Sequence, residues 1–389
     1  MPRLSVEDLR RKREEAASGV PSGADARKGK IVVHMGTCGI AAGAREVLSA
    51  FRGEVEKDGE AGILLSASGC AGLCSKEPTA TVELPGAPPV LYGELTAEKA
   101  KEIFVRHLQG GEIVPTHVVG TGPGWEDVPF FAKQLIVVLK NMGVIDPKRI
   151  DDYIARGGYA VLAEALMGMT PEEVVEEIIA SGLRGRGGAG FPTGRKWKIC
   201  RAEEKTPKYI IGNCDEGDPG AYMDRSLLES DPHSVIEGMT IAAYAVGASK
   251  GFVYVRTEYP LAIENLRHAV TQARDHGLLG EGILGAGFDF DIEIREGSGA
   301  FVCGEETSLI HSIEGVSPEP GQRPPFPAQA GLWGCPTVIN NVETLANVPE
   351  VLRGGADWFS GIGTSASKGT KIFSLVGRIT NTGLIEVPM

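Results

Sequence analysis

The chain has little of what a membrane protein or a nucleic-acid binder needs. No apolar run approaches the ~18–20 residues of a spanning helix, which argues against direct membrane insertion. Positive charge is short: 39 Lys and Arg stand against 51 Asp and Glu, a net charge of −12. Phosphate backbones demand a basic face, so nucleic acid is an unsuitable partner. The start, Met1 to Gly19, is a charged helix-like segment (Leu9-Arg-Arg-Lys-Arg-Glu-Glu) without an apolar stretch, unlike a secretory signal. Cysteine is sparse and odd in number, seven in all. Without an export signal that composition speaks against a disulfide framework. The seven histidines show no metal-ligand spacing anywhere.

Glycine, by contrast, is plentiful at 53 residues, well above average usage. At 389 residues the chain has room for two or three domains. Its densest glycine stretch runs Gly182-Leu-Arg-Gly-Arg-Gly-Gly-Ala-Gly-Phe-Pro-Thr-Gly-Arg-Lys-Trp197. Glycine lets backbone approach a ligand with no Cβ in the way, and successive N–H groups in such a turn bind anions. Arg184, Arg186, Arg195 and Lys196 add charge, so a phosphate-bearing ligand fits this loop. Gly185-x-Gly187-x-x-Gly190 spells a dinucleotide fingerprint, but that motif needs a strand before it. Here the preceding segment reads as a helix, with a capping box from Thr170 to Glu173, Pro171 at the first position, and an apolar stripe through Val174, Val175, Ile178 and Ile179. The Walker pattern fails as well, because Arg195-Lys196 follows Gly194.

Taken in order, residues from about Lys28 to Gly110 read as a small α/β module. Strands are expected at Ile31–His34 and from Ile63, a hairpin over Thr79–Leu84 and Val90–Tyr92, and helices over Ala41–Phe51 and Thr96–Leu108. Cys38, Cys70 and Cys74 fall in its loops; Cys200, Cys214, Cys303 and Cys335 are scattered and read as buried apolar residues. Gly110-Gly, Pro115 and Gly120-Thr-Gly-Pro-Gly124 mark a linker. Helices are expected over Phe130–Asn141, from Ile145, and over Ala160–Met167. After the glycine loop, a strand at Lys208–Gly212 delivers Asn213-Cys-Asp-Glu-Gly-Asp-Pro-Gly220. The acidic cluster Asp215, Glu216 and Asp218 reads either as a solvated loop or as acceptors for ligand hydroxyls. A second glycine turn, Glu296 to Thr307, leads from a strand at Phe288–Ile294 into a helix at Glu305–Ile313. An anion there would gain from the helix dipole, although Glu305-Glu306 explain themselves equally well as caps.

These turns resemble one family closely. Arg184-Gly-Arg-Gly-Gly-Ala-Gly-Phe-Pro-Thr-Gly-x-Lys-Trp197, Asn213-x-Asp-Glu216 with Pro219-Gly220, Gly304-Glu-Glu-Thr307, and Pro325-Phe-Pro-Ala-x-x-Gly-Leu-Trp-Gly334 with Ile339-Asn-Asn-Val-Glu-Thr344 are similar to the flavin-binding, NADH-oxidising subunit of respiratory complex I. The same subunit recurs in NAD-linked hydrogenases and formate dehydrogenases. The N-terminal module resembles thioredoxin-like [2Fe–2S] ferredoxins. The fold so implied is α/β: a thioredoxin-like domain (28–112) after a charged extension (1–27), a linker (113–128), a Rossmann-like FMN-binding domain without the fingerprint (129–360), and the start of a β-grasp domain (361–389).

The resemblance implies oxidation of NADH by hydride transfer to bound FMN, with no catalytic acid or base, and onward passage of electrons to iron–sulfur clusters of partner subunits. It assigns Gly185, Arg186, Gly187, Gly190, Lys196, Asn213, Asp215, Glu216, Gly304, Glu305, Glu306, Asn340 and Asn341 to FMN. It assigns Phe191, Lys196, Asp218, Phe301, Glu306, Arg323 and Phe326 to the nicotinamide nucleotide. Asp218 stands where the family often has Glu, and Arg323 where it has Lys, which leaves NADH against NADPH open. In the ferredoxin-like module Cys38, Cys70 and Cys74 match three of four thiolates, with His34 near the place of the fourth. Imidazole can replace thiolate on such iron. A three-Cys, one-His cluster and a docking domain without a cluster both remain open. The family's later Cys-x-x-Cys-x-x-Cys run for a [4Fe–4S] cluster is missing from this sequence, which reads as a fragment or a truncated product. The implied place is the cytoplasm, or the cytoplasmic side of a membrane complex. A rival reading is a non-catalytic docking or assembly module with a vestigial flavin site.

Overall fold

A computed structural model describes residues 3–17, 29–57, 62–125, 127–297 and 299–389. The expected boundary at residues 27 and 28, and Ser298 in the second glycine turn, lie outside them. The amino-terminal module is built on a five-stranded sheet. Its strands are β1 (Gly29–His34), β2 (Ile63–Ser68), β3 (Ala80–Glu83), β4 (Val90–Tyr92) and β5 (Val118–Thr121), in the order β2-β1-β3-β4-β5. β1 and β2 run parallel, and β3, β4 and β5 follow antiparallel. A parallel pair joined by helices and continued by a hairpin is the thioredoxin-like arrangement. The apolar residues of β1 alternate with a helix stripe to make its core: Ile31, Val33, Val47, Phe51, Val82, Tyr92 and Phe104 are buried together.

Two expectations change here. The helix read over Ala41–Phe51 is two helices, Thr37–Ala42 and Ala44–Lys57, because Gly43 between them takes φ of 110°, a conformation open to glycine. And the expected linker is not all linker, since Val118–Thr121 adds an edge strand to the sheet.

The second sheet is wholly parallel. Its strands are β6 (Tyr209–Cys214), β7 (Lys250–Arg256), β8 (Asp291–Gly297) and β9 (Thr337–Asn341), ordered β8-β7-β6-β9. Strands buried on both faces read as near-continuous apolar runs, as Tyr209-Ile-Ile and Phe252-Val-Tyr-Val do. The helices Pro232–Val246 and Val342–Gly354 cover one face, meeting at Gly238, where a Cβ would collide with the Leu345 carbonyl. The helix Pro171–Ala180 starts with the expected capping box from Thr170 and Glu173.

The expected helix over Phe130–Asn141 does not form. Residues 129–133 make isolated turns, and only Val138–Asn141 is helical, as a short 3-10 segment. The cause is remote: the Glu386 carboxylate takes the N–H groups of Val137, Val138 and Leu139 at 3.0–3.1 Å, which an α-helix would use otherwise. The helix Met223–Ser230 was not expected. At the C-terminal end, within the segment read as the start of a β-grasp domain, β10 (Thr370–Leu375) and β11 (Gly383–Pro388) form an antiparallel hairpin. Among the described residues, no helix is long and apolar enough to cross a membrane.

Candidate functional site

In an open parallel sheet, ligands sit beyond the carboxyl ends of the strands, at the point where strand order reverses. From β6 the chain moves outward to β7 and β8, then returns to lay β9 on β6's other side. The reversal lies between β6 and β9, where Asn213, next to last in β6, and Asn341, last in β9, are register partners. The glycine loop comes to this point. Gly187 stands where its Cβ would be 3.0 Å from the Asn341 Cβ. The Arg186 N–H donates to Thr344 Oγ1 at 2.8 Å, at the start of the helix after β9. The helix Thr193–Ala202 leaves the loop and carries Trp197, whose Nε1 donates to Asn340 Oδ1 at 2.9 Å.

The loop is open on its ligand side. A Cβ at Gly188, with φ of 113°, would meet nothing within 4 Å. Gly190 also takes a left-handed φ, 63°, and its carbonyl accepts from Arg184 Nε at 2.6 Å. Gly185 closes the turn by donating its N–H to the Phe191 carbonyl at 2.9 Å. The N–H groups from Gly187 to Gly190 meet no protein acceptor among the described residues. Consecutive backbone donors left without a protein acceptor suit an anionic ligand.

Lys196 projects beside the loop. Its Nζ donates to the Ile339 carbonyl at 2.9 Å, lies 4.0 Å from Glu306 and 6.0 Å from the Phe191 ring centre. Burial pulls its pKa down, against the opposing pull of Glu306. Arg323 pairs with Glu306 at 2.6 Å and with Glu305 at 3.4 Å, so four of the expected nucleotide-side residues form one connected patch. Phe191, Phe301 and Phe326 are 42%, 68% and 53% exposed. Asp218 is exposed in the β6 turn.

The acidic cluster divides by role. Asp215 has a fully covered side chain, one oxygen 3.3 Å from Arg256 and the other without a partner. Burial pushes its carboxyl up to about 6, with Arg256 pulling the other way. Glu216 instead takes the N–H groups of Met223 (2.7 Å), Asp224 and Arg225 (both 3.3 Å) and so caps the helix Met223–Ser230. Asn213 donates to the Gly304 carbonyl at 3.0 Å and accepts from the Asp215 N–H at 2.9 Å, tying the β6 turn to the second glycine turn.

Several expected ligand side chains are spent on the protein. Glu305 accepts from the N–H groups of Thr307 (2.9 Å) and Ser308 (3.1 Å), the capping alternative. Arg186 is 3% exposed and reaches the carbonyls of Thr370 (2.9 Å), Lys368 (2.6 Å) and Arg184 (2.9 Å). It fastens the loop to the C-terminal hairpin and presents only backbone to a ligand. Asn341 caps the helix Val342–Gly354 and donates to Asp224 at 2.6 Å. Asp224 and Arg256 complete the site's polar frame, and neither was singled out in the sequence. Asp224 follows two residues after Tyr222 in a segment with no turn signal, and Arg256 closes an apolar strand.

The three expected thiols do come together. Cys74 lies beside both Cys38 and Cys70. Cys70 Sγ accepts from the Gly72 N–H at 3.1 Å and meets Glu77 Oε1 at 3.7 Å. The second domain contributes too: Tyr222 OH is 3.7 Å from Cys74, and Arg225 is 3.7 Å from Cys38. His34 does not join them. Its ring is 1% exposed within the sheet, Nδ1 on Thr79 Oγ1 at 2.8 Å and Nε2 on Thr81 Oγ1 at 3.3 Å. Both nitrogens are occupied, which removes His34 from the ligand set. Among the described residues no three His, Cys, Asp or Glu side chains are placed to hold a single metal ion. A two-iron cluster makes a different demand, sharing four protein donors between two irons.

Residues 178–350 match the family described as the Nuo51 FMN-binding domain. Among curated relatives, the chain is 61% identical over 257 residues to the NADP-reducing hydrogenase subunit HndC of Solidesulfovibrio fructosivorans, covering 66% of this chain and 52% of that one. It is 49% identical over 253 residues to an NADH-quinone oxidoreductase subunit of Rhizobium meliloti (strain 1021), covering 65% and 60%. The chain thus spans little more than half the length of these relatives. Among solved structures, an NAD+-reducing [NiFe]-hydrogenase in the H2-reduced state aligns with a TM-score of 0.58 and 27% identity, over 99% of this chain and 64% of that one.

Proposed function

We propose, from the match of residues 178–350 to the Nuo51 FMN-binding domain family, that this chain is the flavin-bearing, nicotinamide-nucleotide-oxidising unit of a multi-subunit oxidoreductase. The observation that carries it is the glycine loop at the β6/β9 reversal, with four consecutive N–H groups unclaimed by protein and open space over Gly188. That cradle fits the phosphate end of FMN. When bound, FMN would supply hydride acceptance from the reduced nicotinamide and release of electrons one at a time.

The chain's own residues position and shield. Gly187–Gly190 would hold the phosphate, and Asn213 would fix the β6 turn against Gly304. Phe191, Phe301 and Phe326 would cover the nucleotide, with Lys196, Glu306 and Arg323 as its polar partners and Asp218 at the edge. Glu216, Glu305, Arg186, Asn340 and Asn341 would act one layer out, by holding the loops. The three thiols fit a [2Fe–2S] cluster in the amino-terminal module, which would carry electrons toward iron–sulfur partner subunits. We assign the segments 28–112 and 129–360 to these two activities, and 361–389 to the opening of a β-grasp domain. The oxidised nucleotide is NADH or NADPH, and the site lies on the cytoplasmic side of the assembly. The purified chain should be yellow and bleach on anaerobic addition of NADH or NADPH. A colourless chain that cannot be reconstituted with FMN would refute the proposal.

A further inference from the structure

The thiol cluster supplies three sulfurs, one donor short of the four that a [2Fe–2S] cluster takes from protein. His34 is held inside the sheet by Thr79 and Thr81. Arg225 has donors only and no lone pair to give. Glu229 is committed, one oxygen accepting from the Thr37 N–H at 2.9 Å and the other from the Thr37 hydroxyl. Among the described residues, the oxygen-bearing side chains that reach a cluster sulfur are Glu77 and Tyr222.

Their settings differ. Glu77 turns one oxygen, Oε2, to the Thr79 N–H at 3.0 Å and to the Thr79 hydroxyl at 3.1 Å. Its other oxygen, Oε1, is left facing Cys70 Sγ at 3.7 Å. Donors bonded ~2.3 Å from one tetrahedral metal lie about 3.7 Å apart, so the spacing is already that of a shared iron. An outer hydrogen bond that orients a ligating carboxylate is the usual support of a metal site. Here it continues inward. The Thr79 hydroxyl donates to Glu77, so it accepts from His34 Nδ1, which fixes the imidazole tautomer. Tyr222 reaches its sulfur from the other domain, and a phenol ligates only after losing a proton ordinarily held to about pH 10. It suits hydrogen bonding to a sulfur better than bonding to iron.

We propose that Glu77 is the fourth protein ligand of a [2Fe–2S] cluster held by Cys38, Cys70 and Cys74, with Thr79 and His34 as its positioning residues. This rests on the cluster reading of the amino-terminal module. Built from two ferric ions and two sulfide ions, the step is ligand exchange alone. Bonds from iron to water and three S–H bonds give way to three S–Fe bonds, one O–Fe bond and the bonds to the two sulfides; the water and the protons leave to solvent, and no electron moves.

The test is anaerobic reconstitution of the full chain with ferric iron and sulfide, followed by iron and sulfide assay and electron paramagnetic resonance after dithionite reduction. The unaltered chain should hold two irons and two sulfides. Glu77→Ala should lose at least half the iron or change the g values. Glu77→Gln, which keeps the shape and can still accept from Thr79, should do the same, so the loss is not a folding failure. Glu77→Cys should restore two irons with an all-thiolate spectrum. Tyr222→Phe should keep the iron and the g values. An unaltered chain without iron sinks the cluster reading and the ligand together. Iron in the unaltered chain with an unchanged signal in Glu77→Ala sinks the ligand alone.

Discussion

Gly187 shows how much a single position decides. Its missing side chain would begin 3.0 Å from the Asn341 Cβ, and Asn341 both caps its helix and holds Asp224. A Gly187→Leu variant is expected to lose FMN on gel filtration while the rest of the fold survives. Retention of a full flavin complement would place the ligand elsewhere. Asp215 makes a prediction in pH. An unfolded aspartate titrates near 3.9, whereas burial holds the folded carboxyl up to about 6. The folded state therefore keeps the proton more tightly, and this group's contribution to stability falls as pH rises between those values. Asp215→Asn removes the loss. In flavin-free protein it should raise Tm at pH 8 by about 2–4 °C and leave Tm at pH 4 unchanged. A gain equal at both pH values would show that the buried charge is not the cause.

Among the elements, the stretch from Phe130 to Asn141 is governed from the far end of the chain. Glu386 has no exposed surface and serves three consecutive N–H groups, along with the Thr370 hydroxyl. Truncating it to Ala strands those donors, each at about 1–3 kcal/mol when buried. Glu386→Ala should therefore cost at least about 3 kcal/mol in urea unfolding, and a loss below about 1 would mean that water replaces the carboxylate. The same residue shows why this element could not be read in advance. Leu135, Val138 and Leu139 have helical spacing, but their backbone partner lies 248 residues away from Val138. What was legible was local: the capping box at Thr170 and Glu173, the alternating or continuous strands, and the glycine loop with a helix rather than a strand before it. What was not legible depended on assembly. Nothing near Arg186 says that its guanidinium turns to Thr370 and Lys368, and nothing near His34 says that two threonines of β3's edge claim its ring. The glycines of the site were readable because backbone conformation is a local property, while its charged side chains were sorted into ligand and scaffold only by the fold.

At the scale of the molecule, the amino-terminal module and the parallel-sheet domain meet along the helix Met223–Ser230, which brings Tyr222, Arg225 and Glu229 to the thiols and to Thr37. That helix is capped by Glu216 from the β6 turn, so one short element touches the proposed flavin site at its start and the module along its length. Gly69 lies at the closest point, where a Cβ would stand 2.6 Å from Ser230 Cα and closer still to its side chain. Backbone atoms cannot yield that distance cheaply. A single methyl, Gly69→Ala, is therefore expected to push the two bodies apart while leaving the glycine loop intact. The variant should keep its FMN, yet hydrogen exchange should rise at Thr37–Ala42 and along Met223–Ser230. Electron transfer from the reduced flavin to a reconstituted module cluster should slow at least tenfold, since the thiols are held against this helix by contacts that the methyl breaks. Unchanged exchange in both segments would mean that the interface absorbs the methyl. Faster exchange with an unaltered transfer rate would mean that electrons leave the flavin by a route that bypasses the module.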